Sequence, residues 1–444
     1  MPVDISYFRT DKGADLNTII QSQKARGADF EICNTISKLD QEWRVAGFNI
    51  NKLNQKINSV QKDIGKLMAK KENSDELRAN KASLESDLEI AKKAEKDLAI
   101  KLADLLKTVG NIVHTSVPIF QDEKNNVVIR KWDSSTKLAN VNAKYHHFEL
   151  IDKIGAVGSK QGSTIAGHRG YFLIGIGVLL NQALINYGLA FLMKKQFTPI
   201  QPPFFMKKEF MSKTAQLSEF SESLYHLEST PDPNTTATEA EIENNQNYLI
   251  ATSEQPISCY HYNEKLDQKQ LPIRYAGIST CFRKEAGGYG RDNNGIFRVH
   301  QFEKVEQFVI TTPENSWPML ETMILNSEEF YQSLGLSYHV ISIVSGALNN
   351  AAAAKYDLEA WFPKMNEYRE LVSCSNCTDY QSRALNTTTN QKDKPYAHFL
   401  NSTLVASERC MCAILENNQT EEGIIVPEVL RPYLGGLELI SYIR

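Results

Sequence analysis

The feature that most constrains this chain is a pair of apolar stripes near its start. Ile36, Leu39, Trp43, Ala46, Ile50, Leu53, Ile57, Val60, Ile64 and Leu67 recur at alternating steps of three and four residues. That spacing keeps one face of a helix apolar through the whole run. Lys70-Lys71-Glu72-Asn73-Ser74 then breaks the pattern, with Asn73 and Ser74 offering turn and cap chemistry. A second stripe follows the same rule: Leu84, Leu88, Ala91, Glu95, Leu98, Leu102, Leu105, Val109 and Ile112, with Glu95 its polar member. Two helices of about 35 residues joined by so short a turn must run antiparallel, each roughly 50 Å long. Such a hairpin, expected over about residues 34–110, cannot fold back over a compact domain and should project. Its faces carry fourteen Lys/Arg against eleven Asp/Glu between Gln41 and Lys107. Both a spacer or dimerisation coil and an arm that grips a large partner fit that pattern.

The rest of the chain reads as mixed α/β. A length of 444 residues allows two or three domains with sizeable cores. The net charge of −4 provides no global basic field, so any RNA contact must be a local patch or a shape-matched element. The N-terminus shows no basic-then-apolar leader. The most apolar segment, Tyr171 to Met193, is interrupted by Asn181, Gln182 and Asn186, which predicts buried helix rather than a membrane span. Seven cysteines without framework spacing fit reduced thiols and a cytoplasmic protein. Cys374-x-x-Cys377 and Cys410-x-Cys412 do not make a zinc set, because the second pair is too closely spaced and falls on an expected helix. Ser229 to Asn247 is polar and reads as an exposed insertion.

Chemistry concentrates in Cys281 to Val309, CFRKEAGGYGRDNNGIFRVHQFEKVEQFV. It predicts two strands around a Gly/Asn/Asp-rich loop, open and exposed, that carries Arg291. Arg283 and Glu285, two residues apart, are expected on one face of the first strand. His300, Phe302, Lys304, Glu306 and Phe308 share a face of the second, with Phe302 and Glu306 roughly 13 Å apart. An arginine, two carboxylates and an aromatic plate in line suit an elongated ligand with an aromatic end, a phosphate and a cationic end. Elsewhere, Thr252 and Glu254 are expected on one strand face as acceptors for an ammonium group. Glu370 and Ser373 lie near each other on an alternating segment, where a carboxylate and a hydroxyl suit Mg²⁺. Asn401-Ser402-Thr403 precedes a helical stretch, Leu404 to Glu416, that carries Arg409.

The spelling is more specific than the chemistry. F-R-x-E, a loop of about ten residues and then FRVHQFEKVE resembles the second signature motif of class II aminoacyl-tRNA synthetases. Pro203 after a helix and strand resembles the first motif, which builds a dimer interface, and the strand and helix around Arg409 resemble the third. With SEQPI, STCFRKE and ELVSCSNC in this order behind a coiled-coil arm, the chain resembles the seryl-tRNA synthetases of the eukaryotic cytosolic branch over essentially its whole length. One departure is visible: where many members place glycines before the third-motif arginine, this chain has Ala406, Ser407 and Glu408.

The resemblance implies an α+β fold, an antiparallel sheet flanked by helices, with a tRNA-binding domain over residues 1–114 and a catalytic domain over 115–444. It implies activation of L-serine with ATP and transfer to tRNA(Ser), with tRNA(Sec) a second candidate acceptor, in a cytoplasmic homodimer. By the same resemblance Arg283, Glu285 and Arg409 are catalytic. ATP would be bound by these residues together with Lys284, Val299, His300, Gln301, Phe302, Glu370, Leu371, Val372 and Ser373, with Glu370 and Ser373 holding Mg²⁺. Serine would be bound by Thr252, Ser253, Glu254, Arg283, Glu306, Asn401 and Thr403, and Arg291 would meet the tRNA. A seryl-adenylate-forming relative that loads another carrier, or a non-catalytic coiled-coil scaffold, are the alternatives.

Overall fold

The computed structural model describes residues 2–135, 143–214, 223–228, 245–285, 294–392 and 395–443. Arg291 and most of the polar insertion lie outside the described residues. The chain divides into two compact units, Val3–Ile112 and Val113–Arg444.

The first unit is helical: α1 (Leu16–Ala25), α2 (Glu31–Ala69) and α3 (Asp75–Thr108). The two apolar stripes face each other along α2 and α3, burying Ile36, Ile57, Ile64, Leu88 and Leu102. Apolar burial on this seam is what holds two helices with otherwise polar faces together. Asn73 Oδ1 accepts from the Asp75 N–H at 2.8 Å and so starts α3. Glu95 is tolerated in the seam because Trp43 Nε1 donates to it at 2.5 Å. At the base the stripe slips by one residue: Leu106 is fully buried whereas Leu105 is half-buried. Asp40 is also fully buried, held by Arg9 at 3.0 Å and Arg44 at 2.8 Å.

The second unit is built on an eight-stranded sheet. Its strands are β1 (Val127–Trp132), β2 (Thr198–Ile200), β3 (Ile273–Phe282), β4 (Gln301–Thr311), β5 (Tyr338–Ser342), β6 (Ala354–Phe362), β7 (Glu367–Asn376) and β8 (His398–Ala406). The order is β1-β5-β6-β7-β8-β4-β3-β2, antiparallel except for the β2–β3 edge pair. Helices α4 (Ile176–Lys194), α6 (Ser316–Ser333) and α7 (Ser407–Asn417) pack against it; α5 is the short helix Glu254–Ser258. α4 is long and apolar enough to cross a membrane by length and composition, but it buries Leu180, Leu184, Ile185 and Leu192 in the core of this unit.

Alternation along the strands sorts the residues. Val305, Val309, Val372, Leu400 and Leu404 enter the main core under the helices. Lys304, Glu306, Asn401, Thr403, Ser373 and Asp357 fall on the opposite face, as the cross-strand pairs Thr403↔Glu306, Asn401↔Phe308 and Asp357↔Ser373 require. Strict alternation would put Glu370 and Ser373 on opposite faces. A bulge prevents this: Val372 pairs with Leu358 and Glu370 with Glu359, so Leu371 is the extra residue. Glu370 and Ser373 thereby share a face, in mid-strand.

Candidate active site

The site lies on the uncovered face of β3, β4, β8, β7 and β6. At one end is a buried polar cluster. Glu306 Oε2 accepts from Thr252 Oγ1 at 2.6 Å and Ser253 Oγ at 3.0 Å, and lies 3.0 Å from Lys304 Nζ. Lys304 also donates to Thr252 Oγ1 at 2.7 Å. Burial pushes the Glu306 carboxyl up, but Lys304 and the hydroxyls outweigh it and hold the group below its usual range. Oε2 is thus fully engaged, which leaves Oε1 for a ligand. Gly277, opposite Glu306 in the β3–β4 pair, admits Ser253 to this cluster, since a Cβ there would lie 2.8 Å from Ser253 Oγ. Thr403 stands across from Glu306, and Asn401 is two residues further along β8.

Two expectations need correction here. Thr252 and Glu254 do not share a strand: the preceding strand ends at Leu249, Ser253 immediately precedes α5, and Glu254 is the first residue of that helix. The Ser253 hydroxyl goes to Glu306 and makes no cap; Thr252 Oγ1 instead accepts from the Glu254 N–H at 3.3 Å, and the segment turns into a helix rather than alternating. Thr252 reaches Glu306, whereas Glu254 accepts from Gln381 Nε2 at 2.6 Å. Likewise β3 ends at Phe282, and Glu285 takes a left-handed conformation with φ +46°. Arg283 still continues the pairing, its N–H donating to the His300 carbonyl at 2.9 Å, and both Arg283 and Glu285 line one small cavity with Phe302, Glu370 and Arg409.

At that other end, the guanidinium of Arg283 lies 5.1 Å from the centroid of the Phe302 ring, and its Nε donates to the Ala251 carbonyl at 3.3 Å. Arg409 lies over Phe297 at 5.0 Å, with Nε on the Phe297 carbonyl and a terminal nitrogen on the Glu370 carbonyl at 3.2 Å. That nitrogen is also 3.5 Å from the Glu370 carboxylate. Desolvation raises the Glu370 carboxyl, but Arg409, Lys355 and Arg283 outweigh it and hold it low. Glu285 faces Arg298 at 3.5 Å, and its carbonyl accepts from Arg169 at 2.8 Å. The Lys284 N–H donates to the Ser223 carbonyl at 3.0 Å, and His300 Nδ1 is 3.0 Å from the Arg283 carbonyl. Leu371 and the buried Val299 line the cavity, Gln301 opens β4, and Val372 turns into the core, so it can offer a ligand only its backbone.

Lys304, Phe297 and Arg369 were not assigned a role from the sequence. Lys304 was within reach, because it alternates between Phe302 and Glu306. Phe297, whose ring centroid lies 5.1 Å from the Arg369 guanidinium and 5.0 Å from that of Arg409, carries no periodic signal, because it lies in the loop before β4. Asp357 was also missed. It is buried across from Ser373, its Oδ1 has no hydrogen-bond partner among the described residues, and burial pushes its carboxyl up to about 7.

The face therefore combines a carboxylate ready for a small polar molecule with arginines and aromatic plates suited to a nucleotide. Residues 3–113 match the model of the seryl-tRNA synthetase N-terminal domain, and residues 237–418 match that of the tRNA synthetase class II core domain (G, H, P, S and T). The serine–tRNA ligase of Helianthus annuus is 49% identical over 100% of this chain and 99% of its own length. The cytoplasmic serine–tRNA ligase of Candida albicans is 50% identical over 100% and 96%. Among solved structures, the cytoplasmic serine–tRNA ligase of Naegleria fowleri in complex with AMP aligns with a TM-score of 0.88 at 41% identity, covering 100% of this chain and 99% of that one. The seryl-tRNA synthetase of Pyrococcus horikoshii complexed with ATP aligns with a TM-score of 0.89 at 35% identity, over 100% of both chains.

Proposed function

The chain belongs to the seryl-tRNA synthetase family of class II aminoacyl-tRNA synthetases, and from that premise we propose that it activates L-serine with ATP and transfers the seryl group to tRNA(Ser). The observation that carries the reading is one sheet face with a buried Glu306–Thr252–Lys304 cluster at one end and Arg283, Phe302 and Arg409 at the other. In the first step a serine carboxylate oxygen attacks the α-phosphorus, and pyrophosphate leaves. In the second, a hydroxyl of the terminal ribose attacks the acyl carbon, and AMP leaves. Neither step needs a protein nucleophile; alignment and charge stabilisation suffice.

Arg283 bridges the α-phosphate and the serine carboxylate, a bidentate task for a planar fork. Phe302 and Arg409 take the two faces of adenine, and Glu285 accepts from its amine. Thr252 and Glu254 serve the ammonium side of serine, while Glu306, Asn401 and Thr403 serve its hydroxyl. A site built to pair a hydroxyl discriminates strongly against alanine, because its polar groups would be left unpaired. Glu370 and Ser373 fit Mg²⁺, a hard cation that takes oxygen ligands: the β7 bulge turns both to one face, and the unpartnered Oδ1 of Asp357 lies across from Ser373. The ion, when bound, would neutralise charge developing on the phosphates.

The helical hairpin α2–α3 supports binding of the long variable arm of tRNA(Ser) by shape and backbone contact. Exposed Val178, Leu179 and Met193 on α4 support a homodimer, and the naming of relatives as cytoplasmic supports that location. Pyrophosphate exchange measured with serine, threonine and alanine tests the reading. Exchange with serine alone is expected, and exchange with threonine but not serine would overturn it.

A further inference from the structure

Glu408 occupies a position that the nucleotide reading does not use. It is the second residue of α7, immediately before Arg409, and is almost fully buried at 1% exposure. Its Oε1 lies 2.9 Å from Tyr171 Oη, and its Oε2 accepts from Ser407 Oγ at 3.1 Å. The Glu303 N–H on β4 points at both oxygens, 3.2 Å from Oε1 and 3.1 Å from Oε2. Tyr171 Oη also lies 3.0 Å from the Gln301 carbonyl.

The protons around this carboxyl are fewer than the acceptors they face. A tyrosine hydroxyl has one proton and the Gln301 carbonyl can only accept, so the Tyr171 proton belongs on Gln301. With that assignment Glu408 donates across the 2.9 Å contact to Tyr171, whereas an ionised Glu408 would compete with the Gln301 carbonyl for the single Tyr171 proton. Oε2 remains as the carbonyl oxygen that accepts from Glu303 N–H, while the single Ser407 proton faces both Oε2 at 3.1 Å and the Glu303 carbonyl at 3.3 Å. The Glu303 side chain stands on the same side, its Oε2 accepting from Asn181 Nδ2 of α4 at 3.2 Å. Two carboxylates there would repel each other at low dielectric.

We propose that Glu408 is a neutral carboxylic acid and a positioning residue, which through Tyr171 and Glu303 N–H fixes the β4 end carrying Gln301 and Phe302 against the helix start carrying Arg409. Burial, reinforced by the Glu303 carboxylate, pushes its carboxyl pKa well above the ordinary carboxyl range. The titratable groups facing it are Glu303 on β4, Tyr171 on the segment before α4 and Cys412 one turn along α7. A cavity of about 470 Å³ bordered by Tyr171, Asn181, Gln301 and Glu303 brings solvent to the edge of the cluster. The inference rests on the reading of Phe302 and Arg409 as nucleotide contacts.

Infrared difference spectra of the full chain against Glu408→Gln test the protonation state without any nucleotide. A protonated-carboxyl stretch at pH 7 that vanishes in the variant is expected; its absence from the wild type overturns the inference. In serine-dependent exchange, Glu408→Ala should raise the KM for ATP about tenfold with kcat nearly unchanged, since it removes a buried charge-free hydrogen-bond partner. Glu408→Gln should restore KM, because its amide both donates to Tyr171 and accepts from Glu303. If Glu408→Ala does not fold, Tyr171→Phe replaces it and should shift KM in the same direction. A wild-type KM in either truncated variant overturns the positioning role, while a raised KM in an Arg409 variant keeps the nucleotide reading separate. Finally, Glu408→Gln should gain stability relative to wild type as pH rises above the ordinary carboxyl range, because only the wild type must keep a proton that its unfolded chain gives up. A pH-independent difference counts against the neutral acid.

Discussion

Thr252 Oγ1 donates a 2.6 Å hydrogen bond to Glu306 Oε2 across 54 residues of sequence, and Lys304 touches both. The three groups satisfy one another inside the protein, so removal of the carboxylate strands a buried ammonium. Glu306→Gln should therefore destabilise the fold by about 3–5 kcal/mol and raise the KM for serine far more than that for ATP. Denaturant unfolding and exchange kinetics check this. The sign of the pH effect follows from the lowered Glu306 carboxyl. Its stabilisation is complete above the ordinary carboxyl range and is lost as pH falls through the depressed value, so the variant should lack that part of the acid limb.

Arg409 combines a stack on Phe297 with hydrogen bonds to the Phe297 and Glu370 carbonyls. Lysine keeps the charge and loses the plane and the fork. Arg409→Lys should raise the KM for ATP by about 10–100-fold, equivalent to about one lost charge-assisted hydrogen bond, and leave the KM for serine within about twofold. Steady-state exchange with each substrate varied decides it, and an unchanged KM for ATP sinks the assignment.

How far the sequence could be read depended on whether a regular period carried the information. The α2–α3 hairpin was legible because its stripe repeats without a gap; it failed at the base, where Leu106 rather than Leu105 is fully buried and where Val109 and Ile112 lie beyond the end of α3 at Thr108. On β4, alternation placed Phe302, Lys304 and Glu306 together, as the structure does. It failed at Thr252–Glu254, where a helix start overrides a strand pattern, and it could not foresee the bulge at Leu371 that turns Glu370 toward Ser373. Glu408 next to Arg409 departs from the family pattern in one dimension, where many members have glycine. In three dimensions the two side chains meet different neighbours, Tyr171 and Glu303 for one and Phe297 and Glu370 for the other.

The arm can be separated from the chemistry by deletion. Removing Asn51 to Lys101 and joining the ends with a short turn takes away most of α2 and α3, while every residue assigned to serine or ATP lies in the second unit. Charging of tRNA(Ser) should fall by about two orders of magnitude or more, while serine-dependent exchange stays within about twofold, as the proposed role of the arm in holding RNA by backbone and shape contacts requires. Equal loss of both activities would reject this division of labour.

Asp357 gives the sharpest test of the metal reading. It sits across β6–β7 from Ser373, its Oδ1 has no partner among the described residues, and it shares a face with Glu370 only because of the β7 bulge. An unpartnered buried carboxylate oxygen is costly, and burial already pushes this carboxyl up to about 7, so a cation or a cation-bound water is what would hold it ionised. Asp357→Asn keeps the shape and removes the charge. The half-saturating Mg²⁺ concentration for exchange should rise about tenfold, in the range typical of groups that orient metal ligands. Stability without Mg²⁺ should hold or increase, because an amide is cheaper to bury than a carboxylate. Thermal melts of the ATP-bound protein across a Mg²⁺ titration report on binding independently of turnover. A wild-type Mg²⁺ dependence in both measurements would remove Asp357 from the site and leave Glu370 and Ser373 to hold the ion alone.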